Sequence, residues 1–232
     1  MKRTLGVLGG MGPQATIDFM QKVLDFTILA GASRDQEHLR IITDSHPQIP
    51  DRTQAIFGNG ESPVPAMMES LSNLINCGAQ CIAMPCVTAH YFLPKLNVPE
   101  GVQFLNMLEI AGLACRNNFG EKTVGVLATP GTAKSGALAA ALKKAGVRSL
   151  FPGQKDQELL GQLILNVKAK GATEEIAGPF NQIAENMRLD GADYYLLACT
   201  EIPLMVQVCH FPYPFVDATA ELARAAVAAS YC

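Results

Sequence analysis

The chain has 232 residues, 49% of them hydrophobic and 17% charged, with 20 Gly and 14 Pro. At about 150 residues per domain this length makes one or two domains, and the composition excludes disorder and fibres. The 18 Lys+Arg against 21 Asp+Glu leave a net charge of −3, which offers nucleic acid no basic face, and no run of about 18 apolar residues provides a membrane span.

Residues 5–8 read as a short strand ending in Gly9-Gly10-Met11-Gly12-Pro13. The apolar stretch at the start is too short and too Gly-rich for an export signal, so a cytoplasmic protein with reduced thiols is expected. A helical pattern covers about 15–29, and residues 39–43 read as a second strand. A Pro-punctuated loop spans 45–53. A helix over about 64–76 stops at Gly78, a helix-ending signal. Residues 81–84 and 102–105 read as two further strands, with helices over about 88–96 and 107–117. Strands alternating with helices predict a parallel sheet covered on both faces.

The plan then recurs. Gly6-Val7-Leu8-Gly9-Gly10-Met11-Gly12 is similar to Gly125-Val126-Leu127-Ala128-Thr129-Pro130-Gly131. Gly78-Ala79-Gln80-Cys81-Ile82-Ala83-Met84-Pro85-Cys86 is similar to Gly191-Ala192-Asp193-Tyr194-Tyr195-Leu196-Leu197-Ala198-Cys199, with a Thr at or near the next position. Phe104-Leu105-Asn106 parallels Phe215-Val216-Asp217, each before a helix. Three matches in one order predict two related halves. The expected fold is α/β: two pseudo-symmetric lobes, each a mainly four-stranded parallel sheet flanked by helices, with the site in the cleft between them. The lobes are assigned to 1–117 and 118–216, with a C-terminal helix over 217–232 returning to the first lobe. The joint falls at Asn117-Asn118-Phe119-Gly120.

In open α/β sheets ligands bind beyond the carboxyl ends of the strands. Cys86 and Cys199 each follow a strand at that end and precede a helix start. The positive end of a helix dipole there predicts a lowered thiol pKa. Two thiols facing one ligand suit removal of a proton from one face of a carbon and its return to the other. The plain alternative is two small core residues, the usual fate of a buried Cys. Seven cysteines are an odd number, so complete internal pairing is impossible.

Arg52, in the Pro-stiffened loop, can clamp a carboxylate with two parallel hydrogen bonds. A solvated loop charge beside Asp51 is the other reading. Lys168 ends a helical pattern, where a Lys is expected on dipole grounds alone. Gly9-Gly10-Met11-Gly12 matches neither dinucleotide nor phosphate-loop patterns. Cys77, Cys81, Cys86 and His90 have spacings that hint at zinc, but they fall on separate rigid elements, so no metal is expected. His90 can tune Cys86 or simply pack, and Glu201 reads as a first-turn helix acid. Cys115, Cys209 and Cys232 show no partner pattern.

Four blocks together resemble the aspartate/glutamate racemase family, closest to its aspartate branch. They are Gly9-Gly10-Met11-Gly12-Pro13-Gln14-Ala15-Thr16, Pro47-Gln48-Ile49-Pro50-Asp51-Arg52-Thr53, Pro85-Cys86-Val87-Thr88-Ala89-His90 and Ala198-Cys199-Thr200-Glu201-Ile202-Pro203-Leu204. The resemblance implies two pseudo-symmetric α/β lobes, independence from pyridoxal phosphate or any other cofactor, and a homodimer. It implies that Cys86 and Cys199 are acid and base, and that Arg52 and Lys168 hold the side-chain carboxylate of a small acidic amino acid. It further implies that Met11, Gln48, Thr88 and Thr200 line the substrate and present donors to its α-carboxylate. The chain departs from the family at Val87, where Asn is usual. Val offers an apolar wall and a backbone amide in its place. Two rivals follow: racemisation or isomerisation of another amino or small dicarboxylic acid, and amino-acid binding without turnover.

Overall fold

The computed structural model describes residues 2–231; Cys232 lies outside the described residues. In the first half, β1 (Leu5–Gly9) leads into α1 (Pro13–Leu29), and β2 (Ile41–Ser45) into α2 (Arg52–Phe57) and α3 (Val64–Asn76). β3 (Cys81–Ala83), a 3₁₀ run over Thr88–Lys95, β4 (Gln103–Phe104) and α4 (Met107–Phe119) complete it. The second half begins with β5 (Thr123–Ala128), α5 (Pro130–Ser135), α6 (Ala137–Lys144) and β6 (Arg148–Leu150). It continues through α7 (Gln154–Lys170), α8 (Ala177–Leu189), β7 (Tyr194–Ala198), α9 (Ile202–Cys209), β8 (Phe215–Asp217) and α10 (Ala218–Ser230).

The repeat predicted from sequence is a repeat of topology. The two four-stranded sheets run β2-β1-β3-β4 and β6-β5-β7-β8, the same order twice. All pairings are parallel, with Leu5 opposite Cys81 in one sheet and Val124 opposite Tyr194 in the other. Central strands β1 and β7 are buried along their whole length, which explains their continuous apolar runs. The Asn106 and Asp217 of the matching Phe-x-Asn/Asp segments do the same work. Asn106 accepts from the amides of Leu108 and Glu109, and Asp217 from those of Thr219 and Ala220. Each thereby satisfies donors that the first helical turn leaves free.

One apolar cluster joins the sheets, containing Val7 and Ala83 of the first and Val126 and Ala198 of the second. Leu222, Ala223 and Ala226 of α10 belong to it, together with Phe19 of α1 and Ala111 of α4. α10 packs against α1 and α4, and Lys22 of α1 reaches Asp217 at 3.5 Å. Separate clusters fill the outer face of each sheet.

Three local features differ from the sequence reading. Helix α2 occupies the end of the expected loop because the Asp51 side chain caps it, accepting from the Gln54 amide at 2.7 Å. β2 begins two residues later than the apolar run suggested. The segment after Cys86 is 3₁₀ rather than α, and Pro94 within it has no amide to donate.

Close contact between the lobes depends on Gly131 at the start of α5. A Cβ there would stand 2.7 Å from Thr53 Oγ1 and 2.9 Å from Thr53 Cα. The missing side chain lets α5 press against α2.

Candidate active site

The carboxyl ends of both sheets meet around one small, tightly lined cavity. Cys86 and Cys199 both line it, one from each lobe. So do Met11, Arg52, Val87, Thr88, Lys168 and Thr200. Gln48 does not: it is exposed in the loop after β2 and outside the lining. In that loop Ile49 is the buried residue.

Cys86 sits in the turn between β3 and the 3₁₀ run. His90, one turn on, supports this turn from behind. Its Nδ1 is 2.8 Å from the Cys86 carbonyl, and its Nε2 accepts from the Met107 amide at 3.1 Å. The accepting Nε2 puts the proton on Nδ1, which donates to the carbonyl. Burial lowers the His90 pKa to about 4, keeping the ring neutral. His90 therefore fixes the backbone of Cys86 and ties it to the start of α4.

Cys199 has different company. Its Sγ donates to Glu201 Oε2 at 3.0 Å, and the Thr200 hydroxyl donates to the same oxygen at 3.3 Å. Lys168 Nζ stands 3.8 Å from Glu201 Oε1. Burial, and then the Glu201 charge, push the Cys199 thiol well above an ordinary cysteine. This reverses the lowered pKa expected from a helix N-terminus. α9 begins only at Ile202, so Cys199 precedes the helix, while the carboxylate is in direct contact. Burial lowers the Lys168 pKa, but Glu201, Cys199 and Cys86 together outweigh it, and the net direction is upward.

Arg52 is the first residue of α2. Its Nη1 donates to the carbonyls of Ile49 at 3.0 Å and Pro50 at 3.1 Å, and Nη2 to that of Met11 at 3.5 Å. Its Nε is buried with no protein partner. Three carbonyls thus hold the guanidinium in place, and the Nε–H and the second Nη2–H remain for a ligand.

Thr88 faces the second lobe. Its hydroxyl stands 2.9 Å from those of both Thr129 and Thr132, a buried trio that crosses the cleft beside Cys86. Val87 is buried in the joint apolar cluster while also lining the cavity.

A profile of the Asp/Glu/hydantoin racemase family matches residues 8–226. The chain belongs to this family. Membership places it among the racemases, an isomerase class. It is 27% identical over 228 residues to the broad specificity amino-acid racemase RacX of Bacillus subtilis, with 96% of each chain covered. Among solved structures it is similar to the aspartate racemase of Picrophilus torridus. That match has a TM-score of 0.86 and 31% identity, and covers 99% of this chain and 94% of the other. A glutamate racemase of Francisella tularensis, in complex with D-glutamate, shares the fold at a TM-score of 0.65 and 16% identity, covering 97% and 79% of the two chains.

In this racemase-family chain the other described thiols stand apart from the cavity lining. Cys81 lies within β3, Cys115 within α4, Cys209 at the end of α9, and Cys77 is exposed after α3. Burial raises both Cys81 and Cys115 to about 11. Among the described residues no three His, Cys, Asp or Glu side chains group as a metal site, and no helix is long and apolar enough to cross a membrane. Sequence reading gave Glu201 only a helix-start role and passed over Thr129 and Thr132. Spacing does carry a signal for Glu201, two positions from Cys199. Nothing local marks the threonines as partners of Thr88, which is 41 residues from Thr129 and 44 from Thr132.

Proposed function

We propose that the chain is a cofactor-independent racemase of aspartate, extending to glutamate, that works by proton transfer between Cys86 and Cys199. The observation that carries this reading is the convergence of two thiols, from equivalent turns of two like lobes, on one small cavity. A base on one face of the α-carbon and an acid on the other invert its configuration without any added group. The α-carbanion needs its charge dispersed into the carboxylate, so donors there carry much of the catalysis. The Thr88 and Thr200 turns are suited to supply amide donors. The unpartnered Arg52 Nε, with the neighbouring Nη2, is suited to a second carboxylate on the side chain. Lys168 adds a second cation. The resemblance to the family supports a homodimer.

Val87 favours one variation on this theme. Its apolar wall replaces a polar side chain, which suits a racemase accepting less polar amino acids alongside aspartate. The likeness to a broad specificity relative supports the same variation.

The test is proton exchange. Protein incubated in deuterated water with L-aspartate, L-glutamate and a panel of neutral amino acids should lose optical rotation and gain α-deuterium. Exchange with aspartate supports the first reading, and stronger exchange with neutral amino acids supports the second. Binding without exchange of any of them would sink both.

A further inference from the structure

The two thiols are equally buried, at 7% exposure for Cys86 and 6% for Cys199, yet their partners differ in kind. Cys199 donates to a carboxylate that is itself only 5% exposed. Among the described residues no carboxylate hydrogen-bonds Cys86 Sγ, and the equivalent place one lobe over, after Thr88, is Ala89. A carboxylate accepting a hydrogen bond from a thiol favours the protonated sulfur, because a thiolate there would set two anions side by side. Lys168 supplies the counter-charge that a buried carboxylate needs. The same Lys168 is within electrostatic reach of Cys86.

We propose that Glu201 is a positioning residue that keeps the proton on Cys199, so that in the resting protein Cys199 is the donor and Cys86 the base. This rests on the two-thiol reading of the site. In the favoured half-reaction Cys86 thiolate takes the α-proton: an S–H bond forms, the C–H bond breaks, and its electron pair passes into the substrate carboxylate. Cys199 then gives its proton to the opposite face: its S–H bond breaks and a new C–H bond forms. The product state holds Cys199 thiolate against Glu201. After release, one proton leaves Cys86 and one returns to Cys199 through solvent, restoring the resting form. The two enantiomers thus meet different protonation forms of one enzyme. The charged and titratable groups around the pair are Glu201 in the Cys199 turn, Lys168 from α7, and Asp51 and Arg52 from the first lobe.

The experiment needs no substrate, so its outcome is separate from that of the racemase reading. Limiting iodoacetamide is applied across pH, and each cysteine is quantified by peptide mass spectrometry in the folded protein and in Glu201→Gln. Cys86 is expected to react at least about tenfold faster than Cys199, since one tenfold step is the least that a contacting carboxylate should impose. In Glu201→Gln the midpoint of the Cys199 profile should fall and the gap narrow, while Glu201→Asp should restore part of it. Equal or faster alkylation of Cys199 in the unaltered protein overturns the proposal, and that comparison does not depend on any variant folding. A Cys199 profile left unchanged by a folded Glu201→Gln overturns it too.

Discussion

The two lobes use one strand order and one placement of a thiol, but they hold that thiol differently. In the first lobe the Cys86 turn is held through its backbone, by a neutral His90 ring bridging to α4. In the second, the Cys199 side chain itself is held, by Glu201 backed by Lys168. Topology repeats because the same apolar alternation packs the same way twice. Polar partners need not repeat, since each is set by single residues beside the sheet. A duplicated fold can therefore bring two identical groups to one cavity and still give them unequal chemistry.

The severest break in this comparison is loss of either thiol. Cys86→Ala and Cys199→Ala should each lower racemisation by at least about a thousandfold, given what a positioned acid or base contributes. Full activity in either variant, measured by optical rotation, would show that the lobes do not share the reaction. Next comes Arg52, which only the first lobe supplies. Arg52→Met should lower kcat/KM for aspartate about 10- to 100-fold by removing a charge-assisted contact, with a smaller loss for a neutral amino acid. Equal losses on both would remove the side-chain carboxylate from its role.

The His90 support can be tested through acid stability. His90 has an unfolded value near 6.5 and a folded value of about 4. Between these the unfolded chain binds the extra proton. The stabilisation is therefore fully present above about pH 6.5 and is lost as pH falls towards about 4. Over that window the loss should approach ~3 kcal/mol, and His90→Gln should remove this part of the pH dependence in urea titrations. A variant with the parent's pH profile would place the ring's control elsewhere. The smallest effect concerns the seam. Gly131→Ala should cost about 1–3 kcal/mol through the clash with Thr53, read as a shift in thermal midpoint. An unchanged midpoint would mean that the lobes can separate there without cost.

Much of this was legible in the sequence. The alternation of strands and helices, the helix over 64–76 and the two thiols at strand ends all followed from apolar periodicity and from the spacing of Gly, Cys and Thr. Arg52 was legible as a clamp residue, but its reach was not. Three backbone carbonyls hold its guanidinium, and they come from its own loop and from Met11, 41 positions away. Gln48 illustrates the opposite limit. It shares a block with Arg52, yet the turn that seats Ile49 in the core leaves Gln48 in solvent. The expected depression of the Cys199 pKa failed for a similar reason. Helix-start reasoning sees the dipole, but not a carboxylate folded back on the sulfur.

The order of residues alone settles what local periodicity can encode: two like α/β halves, with a cysteine after a central strand in each. It also settles which charged side chains are available. Tertiary packing settles which side chains meet. Thr88 finds Thr129 and Thr132, and Lys168 finds Glu201, across gaps that no local pattern spans. The threonine contacts depend on the angle and distance at which two sheets bury their shared apolar cluster, and the Lys168–Glu201 pair on how α7 packs within the second lobe; both are properties of the whole folded chain.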